Sequence, residues 1–244
     1  MGIDLTGLPQ ARLDEMAAAG DEIVECMRVL KKGGLNVVGE VLKGQGKFIK
    51  MDHYPKGDVF DRDSHAQYYY HAHRDGEHGH FHTFLRQPGM PPGVVPIPEA
   101  AGRNWPAGDK ALSHLVAISM DRYGQPIRLF TTNRWVTGEA WHKADDVCAM
   151  LERFVIDHAY PSWPTNRWIT AMMRLFRPQI EALIHERDAL LADWATEHPD
   201  TDVFEDRRLE TISEIPVDIE AQRAAVRAAM TARMPDRKSE ADAL

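Results

Sequence analysis

The sequence predicts an α+β fold: a small antiparallel sheet built from two hairpins, packed by flanking N-terminal and C-terminal helices. Three observations carry this. Strand-like alternation is concentrated in the middle of the chain, between residues 67 and 135. Apolar stripes of helical period lie on both sides of it. The first hairpin is also where histidine accumulates: of the 12 histidines, seven fall between residues 53 and 82.

In chain order, residues 9–32 place Leu13, Met16, Ala17, Ile23, Val24, Met27 and Leu30 on one helical stripe that Gly33 and Gly34 stop. Residues 35–42 fit a short helix or strand, and residues 47–54 a strand before Pro55. Residues 67–86 form the first hairpin, because aromatic residues favour strands and Asp75-Gly76 suits a two-residue type I′ turn. The stretch 88–108 carries six prolines, which suits a lid over a site better than a core element. Residues 114–121 and 127–135 make the second hairpin around Gly124 and Pro126. Beyond Gly138, Val147, Met150, Leu151, Phe154 and Val155 form one helical stripe. A long helix near 165–196 follows, kinked at Pro178, and a last one runs from about Pro216 to Arg233. Thr-Asn-Arg-Trp occurs at 132–135 and 165–168, once at a strand end and once at a helix start, so it is no repeat unit.

With 244 residues and 43% of them hydrophobic, the chain can bury a core as one domain over 1–235, followed by a polar, disordered tail at 236–244. Lys plus Arg number 29 against 37 Asp plus Glu, a net charge of −8, which opposes nucleic-acid and anionic-membrane partners. No apolar run is long enough to span a bilayer, and the first residues lack a signal-peptide pattern. Cys26 and Cys148 are the only cysteines, which fits buried thiols in a reducing cytoplasm.

With Asp75-Gly76 as the turn, His73 opposes His78, His71 opposes His80, Tyr70 opposes Phe81 and Tyr69 opposes His82. Alternation then puts His71, His73, His78, His80 and His82 on one face with Tyr69. Tyr68, Tyr70, Ala72, Phe81, Thr83 and Leu85 fall on the other face, ready to meet helices. Clustered imidazoles gain little from one another and repel if protonated; a transition metal resolves both problems. Imidazole-rich sites take Fe, Zn or Cu and do not suit Mg or Ca. Asp52, His53, Asp61, Asp63 and His65 are candidate additional ligands. Two histidines with a carboxylate point to non-haem iron; three with water point to hydrolytic zinc or to copper. Tyr69 and Arg74 are placed to hold a small-molecule substrate or brace the ligands.

Simpler readings stand beside these. Sheet histidines can be solvated, His114 fits a satisfied core histidine, and Glu77 fits a turn ion pair with Arg74. The segment His78-Gly79-His80-Phe81-His82-Thr83-Phe84 resembles the alternating triad of the histidine-triad nucleotide hydrolases and transferases, departing at Gly79 and Thr83. That resemblance implies metal-free histidine chemistry on phosphates. His71-Ala72-His73 with Glu77 resembles the first cupin metal box, without a second box downstream. The sequence therefore points to a metal-dependent enzyme of hydrolase or oxygenase type. Metal-free phosphate chemistry and a non-enzymatic metal or haem binder are the alternatives.

Overall fold

The computed structural model describes residues 3–233, so the expected tail at 236–244 lies outside the described residues. Helix α1 spans Gln10–Lys32 and buries Leu13, Met16, Ile23 and Leu30 along one stripe. It ends where Gly33 and Gly34 donate their N–H groups to Leu30 and Lys31. Helix α2, Val37–Leu42, is capped by the Asn36 side chain, which accepts from Gly39 N at 2.8 Å.

The sheet has six strands, β1 Tyr54–Phe60, β2 Ala66–His71, β3 Gly79–Arg86, β4 Leu112–Met120, β5 Pro126–Thr132 and β6 Thr211–Pro216. They are paired in chain order and every pair is antiparallel. Between β5 and β6 lie α3 Arg134–Thr137, α4 Ala144–Leu151, α5 Trp163–Leu175 and α6 Arg177–Glu197, and α7 Ile219–Thr231 closes the described chain.

The α+β class holds, but the sheet is larger than two hairpins. Residues 47–53 are irregular, with Met51 at φ 72°, and the strand begins at Tyr54, where that region was expected to end. Strand β6 was not anticipated. The long helix is interrupted at Phe176 (φ −99°, ψ 19°), so Pro178 sits in the first turn of α6, where no backbone donor is needed.

One sheet face carries Tyr68, Tyr70, Phe81, Leu85, Val116, Ile118 and Leu129 into the main core. Helix α5 meets it directly. Phe81 lies 6.1 Å from Trp168 between ring centroids, and Tyr68 Oη donates to Asn166 Oδ1 at 2.7 Å. Each large apolar side chain buried there contributes roughly 1.5–3 kcal/mol. The opposite face carries the histidines.

Candidate metal centre

The first hairpin pairs as expected, with Tyr69 opposite His82, Tyr70 opposite Phe81 and His71 opposite His80. Its turn does not. A type I′ turn needs positive φ at both central residues; Gly76 has φ 84°, and Asp75 is not among the positive-φ residues. Residues 72–78 instead form a loop. The loop releases His78 from the strand, which corrects the face expected for it: His78 Nδ1 is 2.7 Å from Tyr70 Oη, and its ring stacks on Phe48 at 5.6 Å. Next to it only glycine fits. A Cβ on Gly79 would lie 2.5 Å from His71 O and 2.6 Å from Tyr70 Oη.

His71, His80 and His82 converge. Their ligand atoms all lie within 4.8 Å of one another, and no other such group of three occurs among the described residues. All three are buried, at 5%, 0% and 0% exposure. His71 Nε2 and His80 Nε2 are 2.8 Å apart. Two nitrogens bound at about 2.1 Å to one ion stand roughly 3.0 Å apart at a right angle and roughly 3.4 Å apart in a tetrahedron. The observed separation is close to the first value and is also a hydrogen-bond distance.

The surrounding bonds choose between lone pairs and protons. His80 Nδ1 pairs with a Glu77 oxygen, and a carboxylate only accepts, so a proton belongs on Nδ1; in the neutral ring Nε2 then carries the lone pair. His82 Nδ1 is 2.9 Å from His114 Nε2, and His114 Nδ1 is 3.5 Å from Thr132 Oγ1. In the tautomer where His82 Nδ1 donates to His114 Nε2 and His114 Nδ1 to Thr132 Oγ1, His82 Nε2 is bare, and that atom is buried without a partner. His71 Nδ1 and Glu77 Oε2 are likewise buried and unpartnered. Such groups cost roughly 1–3 kcal/mol each.

Electrostatics favour the ligating form. Burial, reinforced by the neighbouring imidazoles, depresses His71 to about 2 and holds His82 well below the usual imidazole range. Burial also depresses His114 to about 3. Burial pushes the Glu77 carboxyl up, but its bond to His80 and the nearby charges outweigh that and leave it lowered. Neutral imidazoles with one braced by a carboxylate are the usual donors to a metal.

The other expected residues are placed around this centre. The His73 ring is 4.9 Å from His71 and 5.0 Å from His80, outside the converging set. Tyr69 stacks on His53 at 3.6 Å and meets His71 and His82 at 5.2 Å each. The Arg74 guanidinium lies 4.4 Å over Phe130, whose ring is 5.2 Å from His80, and approaches Glu214 at 3.7 Å. Asp61 spends its oxygens on the backbone N–H groups of Asp63, Ser64 and Asp157, Asp63 is exposed, and the His65 ring rests near Phe60. The loop 88–108 was expected as a lid. Its contacts run elsewhere: Ile97 N donates to Trp141 O at 2.9 Å, and Trp105 lies 5.4 Å from Phe204. What closes the histidine face is the 72–78 loop, through Arg74 and Glu77, together with His53.

Sequence reasoning misplaced His114 and Glu77. A bulge separates the pairs Thr83–Val116 and Phe84–His114, so His114 turns to the histidine face instead of following Val116 and Ile118. Glu77 reaches His80 because the loop is longer than the turn expected there.

Residues 17–217 match the family described as a domain of unknown function, DUF6969. The match covers most of the chain, which belongs to this family. Neither the curated proteins nor the solved structures contain a match to it.

Proposed function

We propose that this chain is a metal-dependent enzyme acting on a small molecule, with one transition-metal ion held by His71, His80 and His82. The observation that carries the reading is the convergence of three buried imidazoles, His71 Nε2 lying 2.8 Å from His80 Nε2, in contacts that admit the neutral tautomers with lone pairs on His80 Nε2 and His82 Nε2. Three imidazoles without a carboxylate among them suit zinc, iron or copper, and three protein ligands leave a further position for water or substrate. A bound ion would supply an activated water or dioxygen, or polarise a substrate oxygen. Glu77 orients His80 and strengthens it as a donor; His114 does the same for the tautomer of His82. Tyr69, whose phenol burial keeps protonated, is the nearby hydroxyl donor for a substrate. Cys26 and Cys148 are both free thiols, which supports a reducing, cytoplasmic setting.

A metal carrier would use the same ligands, and the full burial of His80 and His82 favours it as the second reading. The likeness to the histidine triad weakens, because His78 lies across the sheet from His80 and His82. Elemental analysis by plasma mass spectrometry on untagged protein, beside the His71→Ala/His80→Ala variant, is the test. Near-stoichiometric zinc, iron or copper that the double variant loses is the expected result. No metal in either sample, even after incubation with Zn²⁺, Fe²⁺ and Cu²⁺, would overturn the reading.

A further inference from the structure

A buried triad needs a way for the ion to arrive. Two more histidines stand on its outer side. The His53 ring meets His71 edge to face at 5.5 Å and keeps 44% of its side chain exposed. The His73 side chain is 19% exposed, and its ring lies about as close to His71 and His80 as those two lie to each other. Each has a carboxylate beside it: His53 Nδ1 is 3.2 Å from Asp58 Oδ1, and His73 Nδ1 is 3.7 Å from Glu210 Oε1.

The backbone divides the five histidines into two kinds. His71, His80 and His82 sit on paired strands that fix their directions. His53 and His73 sit on irregular chain just before β1 and just after β2, and Met51 N ties these segments together by donating to Ala72 O at 3.0 Å. Irregular backbone lets a ring swing where a strand does not.

We infer that His53 with Asp58 and His73 with Glu210 form the route by which the metal ion enters and leaves the triad, acting as transient ligands. The inference rests on the metal reading above. A hydrated cation must shed its waters to reach the buried nitrogens. The carboxylates attract it, and each histidine replaces one departing water with a ring nitrogen before His71 takes the ion over. No bond other than those to the metal forms or breaks, and no electrons are transferred. A route lowers the barrier in both directions and leaves the end states alone, so its loss slows loading and release together.

The test is stopped-flow loading of metal-free protein with Co²⁺, followed through its ligand-field absorption, with release measured by competition with a chelator. The variants are His53→Ala, His73→Ala, their combination, and His53→Phe, which keeps a ring on Tyr69 while removing the nitrogens. In the combined variant, loading and release should both slow by about tenfold or more while Kd stays within about twofold. His53→Phe should slow loading as His53→Ala does. Unchanged rates in the combined variant would overturn the route. A weaker Kd at an unchanged loading rate would overturn it as well, by making these residues resident ligands. A wild-type protein that takes up no Co²⁺ would instead defeat the metal reading on which the route rests.

Discussion

The two faces of the β2–β3 hairpin are built from alternating residues of the same strands and are buried to the same degree, yet they are satisfied in different ways. Tyr68, Tyr70 and Phe81 are fully buried and spend their surface on other rings and on α5. The polar atom of Tyr68 finds Asn166, and that of Tyr70 finds His78. Across the sheet His80 and His82 are just as buried, but His82 Nε2 and the neighbouring His71 Nδ1 find nothing. Apolar burial stabilises without needing a partner, whereas polar burial costs free energy until a partner is supplied. The comparison teaches that exposure does not separate core from site on this hairpin; unpartnered polar atoms do.

The largest way to probe that contrast is Phe81→Ala, which should lower unfolding free energy by about 3–5 kcal/mol while the remaining folded protein keeps its metal affinity. Denaturant titration with and without Zn²⁺ measures both quantities. On the other face, His82→Ala should cost less stability in metal-free protein than Phe81→Ala and abolish the rise in Tm on adding Zn²⁺. A Zn²⁺-dependent rise that survives in His82→Ala would break the contrast.

Glu77→Gln should weaken metal binding by about 10–100-fold, because His80 loses the carboxylate that orients its ring, with a smaller effect on the metal-free fold. Competition with a chromophoric chelator measures it.

Acid should separate the faces again. His71, His82, His114 and His142 are held neutral by burial, with folded-state values below the ordinary one. The unfolded chain therefore takes up protons near pH 6.5 that the folded chain refuses. Their contribution is complete above that pH and is lost as pH falls below it, by up to about 1.4 kcal/mol per pH unit for each group. Burial raises Glu139 to about 7, so its contribution has the opposite sign, complete in acid and lost as pH rises toward 7. Four groups outweigh one below pH 6.5, and the urea midpoint of metal-free protein should fall steeply there, while the Phe81→Ala increment stays constant with pH. The smallest effect belongs to His78→Ala: about 0.5–1.5 kcal/mol for the lost Tyr70 bond, with metal content unchanged.

Much of this was readable from the residues because strand alternation is strict. The pairings Tyr69–His82, Tyr70–Phe81 and His71–His80 follow from centring the hairpin on Asp75-Gly76, and the division into an aromatic and a histidine face follows from parity. What escaped depends on departures from regularity. Asp75-Gly76 resembles a two-residue turn, but only a built backbone shows that Asp75 lacks the left-handed conformation such a turn requires. Residues 47–54 contain Phe48, Ile49 and Tyr54 in a strand-like pattern, yet Ile49 and Met51 stay 51% and 65% exposed, and pairing starts where the chain reaches β2. His114 alternates with Val116, Ile118 and Met120 in the sequence, so parity assigned it to the helices until the bulge in β4 reversed it.

That bulge ties the chemistry of one side chain to a count of residues. Leu115 is the extra residue between the two pairs, and it is by this bulge that His114 Nε2 comes within 2.9 Å of His82 Nδ1. Leu115 and Val116 are neighbours that both enter the main core, so a regular β4 that kept Leu115 would put His114 in step with Val116, toward the helices, whereas deleting Leu115 would leave His114 opposite Phe84 on the histidine face. For this chain, what stands beside His82 is therefore decided by a strand irregularity, and a change there would leave His71, His80 and His82 every one intact.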